Sequence, residues 1–213
     1  STCTCSDGST IFTAPDTSGT WACIVPNPGT WTVSCTDGSN SKSEDVSITA
    51  DGQSTSVSLH YVLYLYNNGT FADADGGLKQ VGVTYDGRQP GECVITANES
   101  YVTIGSMVGL TALAYFPKKY DLNDFKTLYF NGSFVNNDPE YLGKYSIGVW
   151  KTIPTGDARV EASAIMDGKM EKDTYSLDVS SCTGEHYVGI VIFGYGPASN
   201  PASVVTMHQM YLE

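Results

Sequence analysis

The chain has 213 residues, long enough for one or two domains with a real core. Its formal charge is −12, from 23 acidic and 11 basic residues, and charged residues make up only 16% of it. The largest basic cluster is the pair Lys118-Lys119, which excludes the basic stripe that a nucleic-acid backbone or an anionic membrane surface requires. No run of 18 or more apolar residues is present, so no helical membrane span is expected.

In chain order, the first region reads as short β-strands separated by turns. Strands are expected at 9–13, 21–25, 30–35, 42–49 and 54–59, with turns at Ser6-Asp7-Gly8, Pro26-Asn27-Pro28-Gly29, Thr36-Asp37-Gly38 and Ala50-Asp51-Gly52. The tripeptide Gly19-Thr20-Trp21 returns as Gly29-Thr30-Trp31, and the two copies read as the arms of a hairpin. Trp21, Cys23 and Val25 share a parity, as do Trp31, Val33 and Cys35, so each arm has one heavy face. A turn at Gly29 sets Cys23 opposite Cys35, which leaves a cross-strand disulfide and buried free thiols as alternative states. Cys93 and Cys182 are the cysteines of the second half, and no CxxC motif occurs.

The second region predicts strands at 61–66, 92–97, 100–104, 110–115, 127–134, 145–150, 160–165, 174–179, 186–193 and 204–212, and little helical periodicity beyond one turn at 121–125. This number of strands fits a two-sheet jelly roll. The expectation is an all-β chain: a small Ig-like β-sandwich over 1–59 and a jelly-roll β-sandwich over 60–213.

The residues also carry family likenesses. The series Thr30-Trp31-Thr32-Val33, Thr36-Asp37-Gly38, Asp45-Val46-Ser47-Ile48 and Gly52-Gln53-Ser54 resembles the Ig-like or carboxypeptidase-regulatory-like modules of surface and tail-associated proteins from gut Firmicutes and their phages. The segments Lys126-Thr127-Leu128-Tyr129-Phe130 and Tyr175-Ser176-Leu177-Asp178-Val179-Ser180, with Tyr187-Val188-Gly189-Ile190, resemble strands of the galactose-binding-like jelly roll. The likeness implies an extracellular, cell-surface or virion setting and neighbouring domains in a longer chain.

Catalytic signatures are weak. No Gly-x-Ser-x-Gly elbow accompanies His60, His186 and His208. Asp157, Glu161, Asp167 and Glu171 alternate with Arg159, Lys169 and Lys172 and read as a solvated loop and strand edge rather than a glycosidase pair. Asp73-Ala74-Asp75-Gly76 opens like a calcium loop but lacks the EF-hand Glu, since Thr84 stands at the twelfth place. Together with Glu213 at the last strand, Asp73 and Asp75 form the candidate metal set, and a structural calcium is the one cofactor expected.

Sugar recognition needs aromatic rings beside planar polar groups. With 14 Tyr and 3 Trp the chain has the material. The loop candidates are Tyr85, Arg88, Asn137, Tyr141, Trp150 and Tyr195. The expected function is therefore a non-enzymatic module that binds a glycan or cell-surface ligand; the alternative is a structural stalk or fibre that assembles through its sheet faces.

Overall fold

The computed structural model describes residues 2–15, 21–37, 40–57, 59, 62–72, 77–106, 110–136, 144–167, 174–193 and 203–213. It divides into two compact units, Ser1–Leu63 and Tyr64–Glu213. All regular structure among the described residues is β.

In the first unit, β1 (Thr2–Ser6), β2 (Ile11–Pro15), β3 (Gly29–Asp37) and β4 (Asn40–Ile48) form one antiparallel sheet in the order β2-β1-β3-β4. The β1–β2 turn is held by Asp7, whose Oδ1 accepts from the backbone N–H of Ser9 at 2.9 Å and of Thr10 at 2.7 Å. Those bonds hold its carboxyl below the usual carboxylate range. Cys3 pairs with Cys35 and Cys5 with Val33, so Cys3, Cys5, Trp31, Val33 and Cys35 share a face. The structure corrects the expected hairpin here. Both edges of β3 are occupied, by β1 and β4, and 21–25 is an extended segment outside any ladder. Cys35 is accordingly bonded to Cys3 and not to Cys23. The strand expected at 54–59 is likewise absent from its described residues, and a second sheet for this unit does not occur among them.

The second unit continues with β5 (Leu63–Asn67), β6 (Thr70–Phe71), β7 (Lys79–Gly82), β8 (Gln89–Pro90), β9 (Cys93–Ala97), β10 (Val102–Ser106), β11 (Leu110–Tyr115), β12 (Tyr120–Asp121), β13 (Thr127–Asn136), β14 (Lys144–Trp150), β15 (Ala164–Asp167), β16 (Thr174–Asp178), β17 (Glu185–Phe193) and β18 (Ser203–Leu212). They form two seven-stranded sheets. Sheet one runs β16-β13-β18-β10-β9, with β5 and β6 joined beside β18; sheet two runs β15-β14-β17-β11-β7, with β8 beside β11 and β12 beside β17. This is the two-sheet sandwich expected of a jelly roll. Alternation along the strands sends Leu128, Phe130, Val205, Met207, Met210 and Leu212 of sheet one inward, where they are buried. Phe130 and Phe134 reach Tyr145 of β14 at ring distances of 5.6 and 5.3 Å and so join the sheets across the core.

Two turns follow directly from local sequence. Asn68-Gly69 has φ of 42 and 96° and closes the β5–β6 hairpin; Asp86-Gly87 has φ of 51 and 78°, with Arg88 N–H donating to the Tyr85 carbonyl at 3.0 Å. Both are the doubly left-handed turns for which Asn-Gly and Asp-Gly are the favoured pairs.

Candidate functional site

The two sheets differ on their outer faces. On sheet two, Ser146, Trp150, Leu113, Val191 and Phe193 face away from the sandwich core, yet they are buried. The segments 83–88 and 151–163 cover them. Tyr85 stacks on Phe193 at 5.1 Å and bonds Ser146 Oγ through its hydroxyl at 2.9 Å; the Arg88 guanidinium lies 4.4 Å from the Phe193 ring centre. Trp150 Nε1–H donates to the Ala158 carbonyl at 2.8 Å. Asp157 Oδ2 accepts the Asp86 N–H at 2.8 Å, and the Glu161 carboxylate accepts from the N–H groups of Thr155 and Gly156. These carboxylates fasten the cover. Burial likewise gives His186 a structural position, bridging the Gly184 carbonyl and Ser163 Oγ at 2.9 and 3.0 Å.

This arrangement corrects part of the sequence reading. Tyr85 is 2% exposed and Trp150 fully buried, so neither offers a ring to a ligand. Both stand where a turn follows a strand, which in sequence reads as a loop, but Tyr85 points inward from the cover and Trp150 lies beneath it. Arg88 is brought beside Tyr85 as part of that cover. Asn137, Tyr141, Tyr195, Asp73 and Asp75 lie outside the described residues. Glu213 directly follows β18, its backbone paired with Thr127 in both directions at 2.9 Å. Among the described residues no group of three or more His, Cys, Asp or Glu side chains is placed to hold a metal ion.

Sheet one is built differently. Its outward side chains are half-buried or exposed, and the strand registers sort them into rows across the sheet. One end carries Val94, Val204 and Val135, with Val94 and Val135 about half exposed. Next come Thr96, Thr103, Thr206 and Ser133. A bulge follows on β18, where the register shifts between Asn131 and Gly132; Met207 and Met210 stay buried, while His208 and Gln209 between them both turn outward. Gly132 is required there, since a Cβ would strike the Thr206 carbonyl. Tyr101 packs edge-on against His208 at 5.9 Å.

Beyond the bulge lies an amide row. Gln209 Nε2 donates to Asn67 Oδ1 at 2.9 Å, Asn68 donates to the same oxygen at 3.0 Å, and Asn131 pairs with Gln209 across the ladder. A tyrosine row adjoins it. Tyr211 stacks on Tyr129 at 4.8 Å and meets Tyr64, 39% exposed, at 5.2 Å, so three rings run across β13, β18 and β5. Partial burial, then the neighbouring Tyr64, Glu213 and Tyr129, hold the Tyr211 phenol above its usual value. The hydroxyl is thus neutral at physiological pH and donates as well as accepts. Neither Lys nor Arg occurs in β5, β9, β10, β13, β16 or β18. From Val204 to Glu213 the face spans about 30 Å along β18.

Sequence reasoning sought binding residues in loops and passed over this surface. Part of the signal was available: Tyr129 alternates with the apolar Leu128 and Phe130, and Tyr211 stands between Met210 and Leu212, although the bulge puts Met207 on the same parity as Tyr211. What joins them with Tyr64 is the pairing of three strands far apart in the chain.

No family model and no curated protein matches the chain. Among solved structures it is similar to family 29 carbohydrate-binding modules. One is a CBM29-2 mutant complexed with mannohexaose (TM-score 0.44, 11% identity, covering 71% of this chain and 89% of that chain). Another is a CBM29-2 mutant complexed with cellulohexaose (TM-score 0.42, 11% identity, 71% and 89%). It is also similar to CBM86, a low-affinity xylan-binding module from Roseburia intestinalis (TM-score 0.39, 9% identity, 65% and 94%). Likeness at this level assigns no ligand to this chain.

Proposed function

We propose that the second unit is a non-catalytic glycan-binding module of a larger extracellular, cell-surface or virion-associated protein. The ligand lies across the outer face of sheet one. The observation that carries this reading is the continuous surface formed by the tyrosine row Tyr64, Tyr211, Tyr129 and the amide row Asn67, Gln209, Asn131. Aromatic CH-binding area stands there beside planar donors and acceptors, the two elements by which proteins hold sugars. The absence of Lys and Arg from these strands, with Glu213 at one end, favours an uncharged glycan over a uronic-acid or sulfated one.

The test is affinity electrophoresis and calorimetry against neutral polysaccharides such as glucomannan, xylan and soluble cellulose oligosaccharides, with polygalacturonate as the anionic control. Retardation by a neutral polymer, lost in Tyr211→Ala and Tyr129→Ala variants that still melt cooperatively, is the expected result. Equal binding by the folded variants, or binding of the anionic polymer alone, would sink the reading. The structural calcium at Asp73, Asp75 and Glu213 belongs to this proposal on the strength of the Asp-x-Asp-Gly loop; calcium should raise the Tm and EDTA reverse the rise.

A second reading, self-assembly as a stalk or fibre through the same face, draws on the exposed Val94 and Val135 at its other end. Light scattering separates the two, since assembly requires a mass that rises with concentration and falls when both valines are changed to Thr.

A further inference from the structure

Cys3–Cys35 spans directly opposite residues of β1 and β3. Cys5 lies two residues further along β1, hence on the same face, and is buried there. The segment 21–27 runs beside that face without joining a ladder. Its side chains nevertheless alternate: Trp21, Cys23 and Val25 are half-buried, Ala22 and Ile24 exposed, and Ile24 is 92% exposed. Its far end is tied to the sheet by Trp31 Nε1–H, which donates to the Asn27 carbonyl at 3.2 Å. Cys23 is thereby turned toward the sheet, where it is the neighbouring side chain that acts on the buried Cys5 thiol; both thiols are free in the structure.

We propose that Cys5 and Cys23 are a second disulfide site, which fastens the 21–27 segment onto the sheet beside Cys3–Cys35. The chemistry is exchange with a disulfide donor such as oxidised glutathione or an oxidised dithiol protein. The Cys23 thiolate, on the more accessible side chain, attacks one donor sulfur and releases the first donor thiol. The Cys5 thiolate then attacks the Cys23 sulfur of the mixed disulfide and releases the second. Two protein thiols lose two electrons and two protons, and one donor disulfide becomes two thiols. Burial, followed by the neighbouring Cys23, pushes the Cys5 thiol up to about 11. Closure therefore speeds up with rising pH. Cys93 and Cys182 are different: both are buried free thiols of the second unit, and no second cysteine is among the groups that act on either.

The test is disulfide mapping of the full chain, equilibrated in a glutathione redox buffer, alkylated, and cut by chymotrypsin after Phe12, Trp21 and Trp31. Cys3 and Cys5 then share one peptide, while Cys23 and Cys35 fall on two others. The expected product is a three-peptide assembly, with fragmentation between Cys3 and Cys5 assigning Cys5 to Cys23, and with Cys93 and Cys182 alkylated. In a Cys23→Ser variant the assembly should shrink to two peptides, with Cys5 alkylated and Cys3–Cys35 retained. An alkylated Cys23 peptide from the wild-type chain while Cys3–Cys35 is closed would overturn the proposal. So would a bond from Cys23 to Cys3 or Cys35.

Discussion

The two sheets of the second unit use one strand grammar for opposite ends. Sheet two places Trp150, Leu113, Val191 and Phe193 on its outer side and covers them with 83–88 and 151–163, so both of its faces are interior. Sheet one places Tyr, Asn, Gln and Thr on its outer side and leaves them half in solvent. Aromatic residues occur on both outer faces; what separates them is the layer laid over one. A ring under cover contributes packing and exclusion of water, whereas a ring at the surface keeps contacts to offer to a ligand.

The sharpest way to break this contrast is Trp150→Ala. It removes the largest fully buried side chain of the covered face and orphans the Ala158 carbonyl, and should cost about 3–5 kcal/mol in denaturant unfolding. Any loss of glycan binding should follow unfolding and nothing else. Tyr211→Ala reverses the pattern: roughly 1–2 kcal/mol of stability and at least about a tenfold loss of affinity in calorimetry. If the two substitutions lower stability equally, the outer faces are not different in kind.

Alkaline pH tests the interior between the sheets and their neighbours. Burial pushes the Cys93 thiol up from 9.0 to about 12. A raised acid keeps its proton in the folded chain while the unfolded chain loses it, so the stabilisation is complete below pH 9 and is lost as pH rises toward 12. Stability of the second unit should fall across that window, by on the order of 1 kcal/mol for each pH unit at most. Cys93→Ala should flatten the slope. A smaller effect is expected from Arg88→Ala: about 1 kcal/mol or less through the lost contact with Phe193, and no change in glycan affinity, because Arg88 belongs to the covered side.

Much of the architecture was legible along the chain. Apart from the short β12, which falls where one helical turn was expected, and β15, the strands from β9 to β18 lie close to their expected places because alternation between apolar and polar residues is a local signal, broken by Gly, Asn and Asp turns. The strand expected at 160–165 fell instead at Ala164–Asp167, with the preceding residues given to the cover. In the first unit the repeated Gly-Thr-Trp suggested a hairpin with the preceding segment, but β3 has two edges, and the strand that follows it, β4, took one while the distant β1 took the other. The parity of Trp21, Cys23 and Val25 was right even so, because facing a sheet imposes alternation whether or not hydrogen bonds follow.

The sequence by itself determined that this protein is all-β, where most of its strands begin and end, and which side of each strand is heavy. Those properties depend on neighbours one, two or four residues away. Only the tertiary structure decided which of two aromatic outer faces is covered, that Cys35 meets Cys3, and that Tyr64, Tyr129 and Tyr211 form one row. These depend on which strands become neighbours, and that choice is made by the collective burial of the core across long loops.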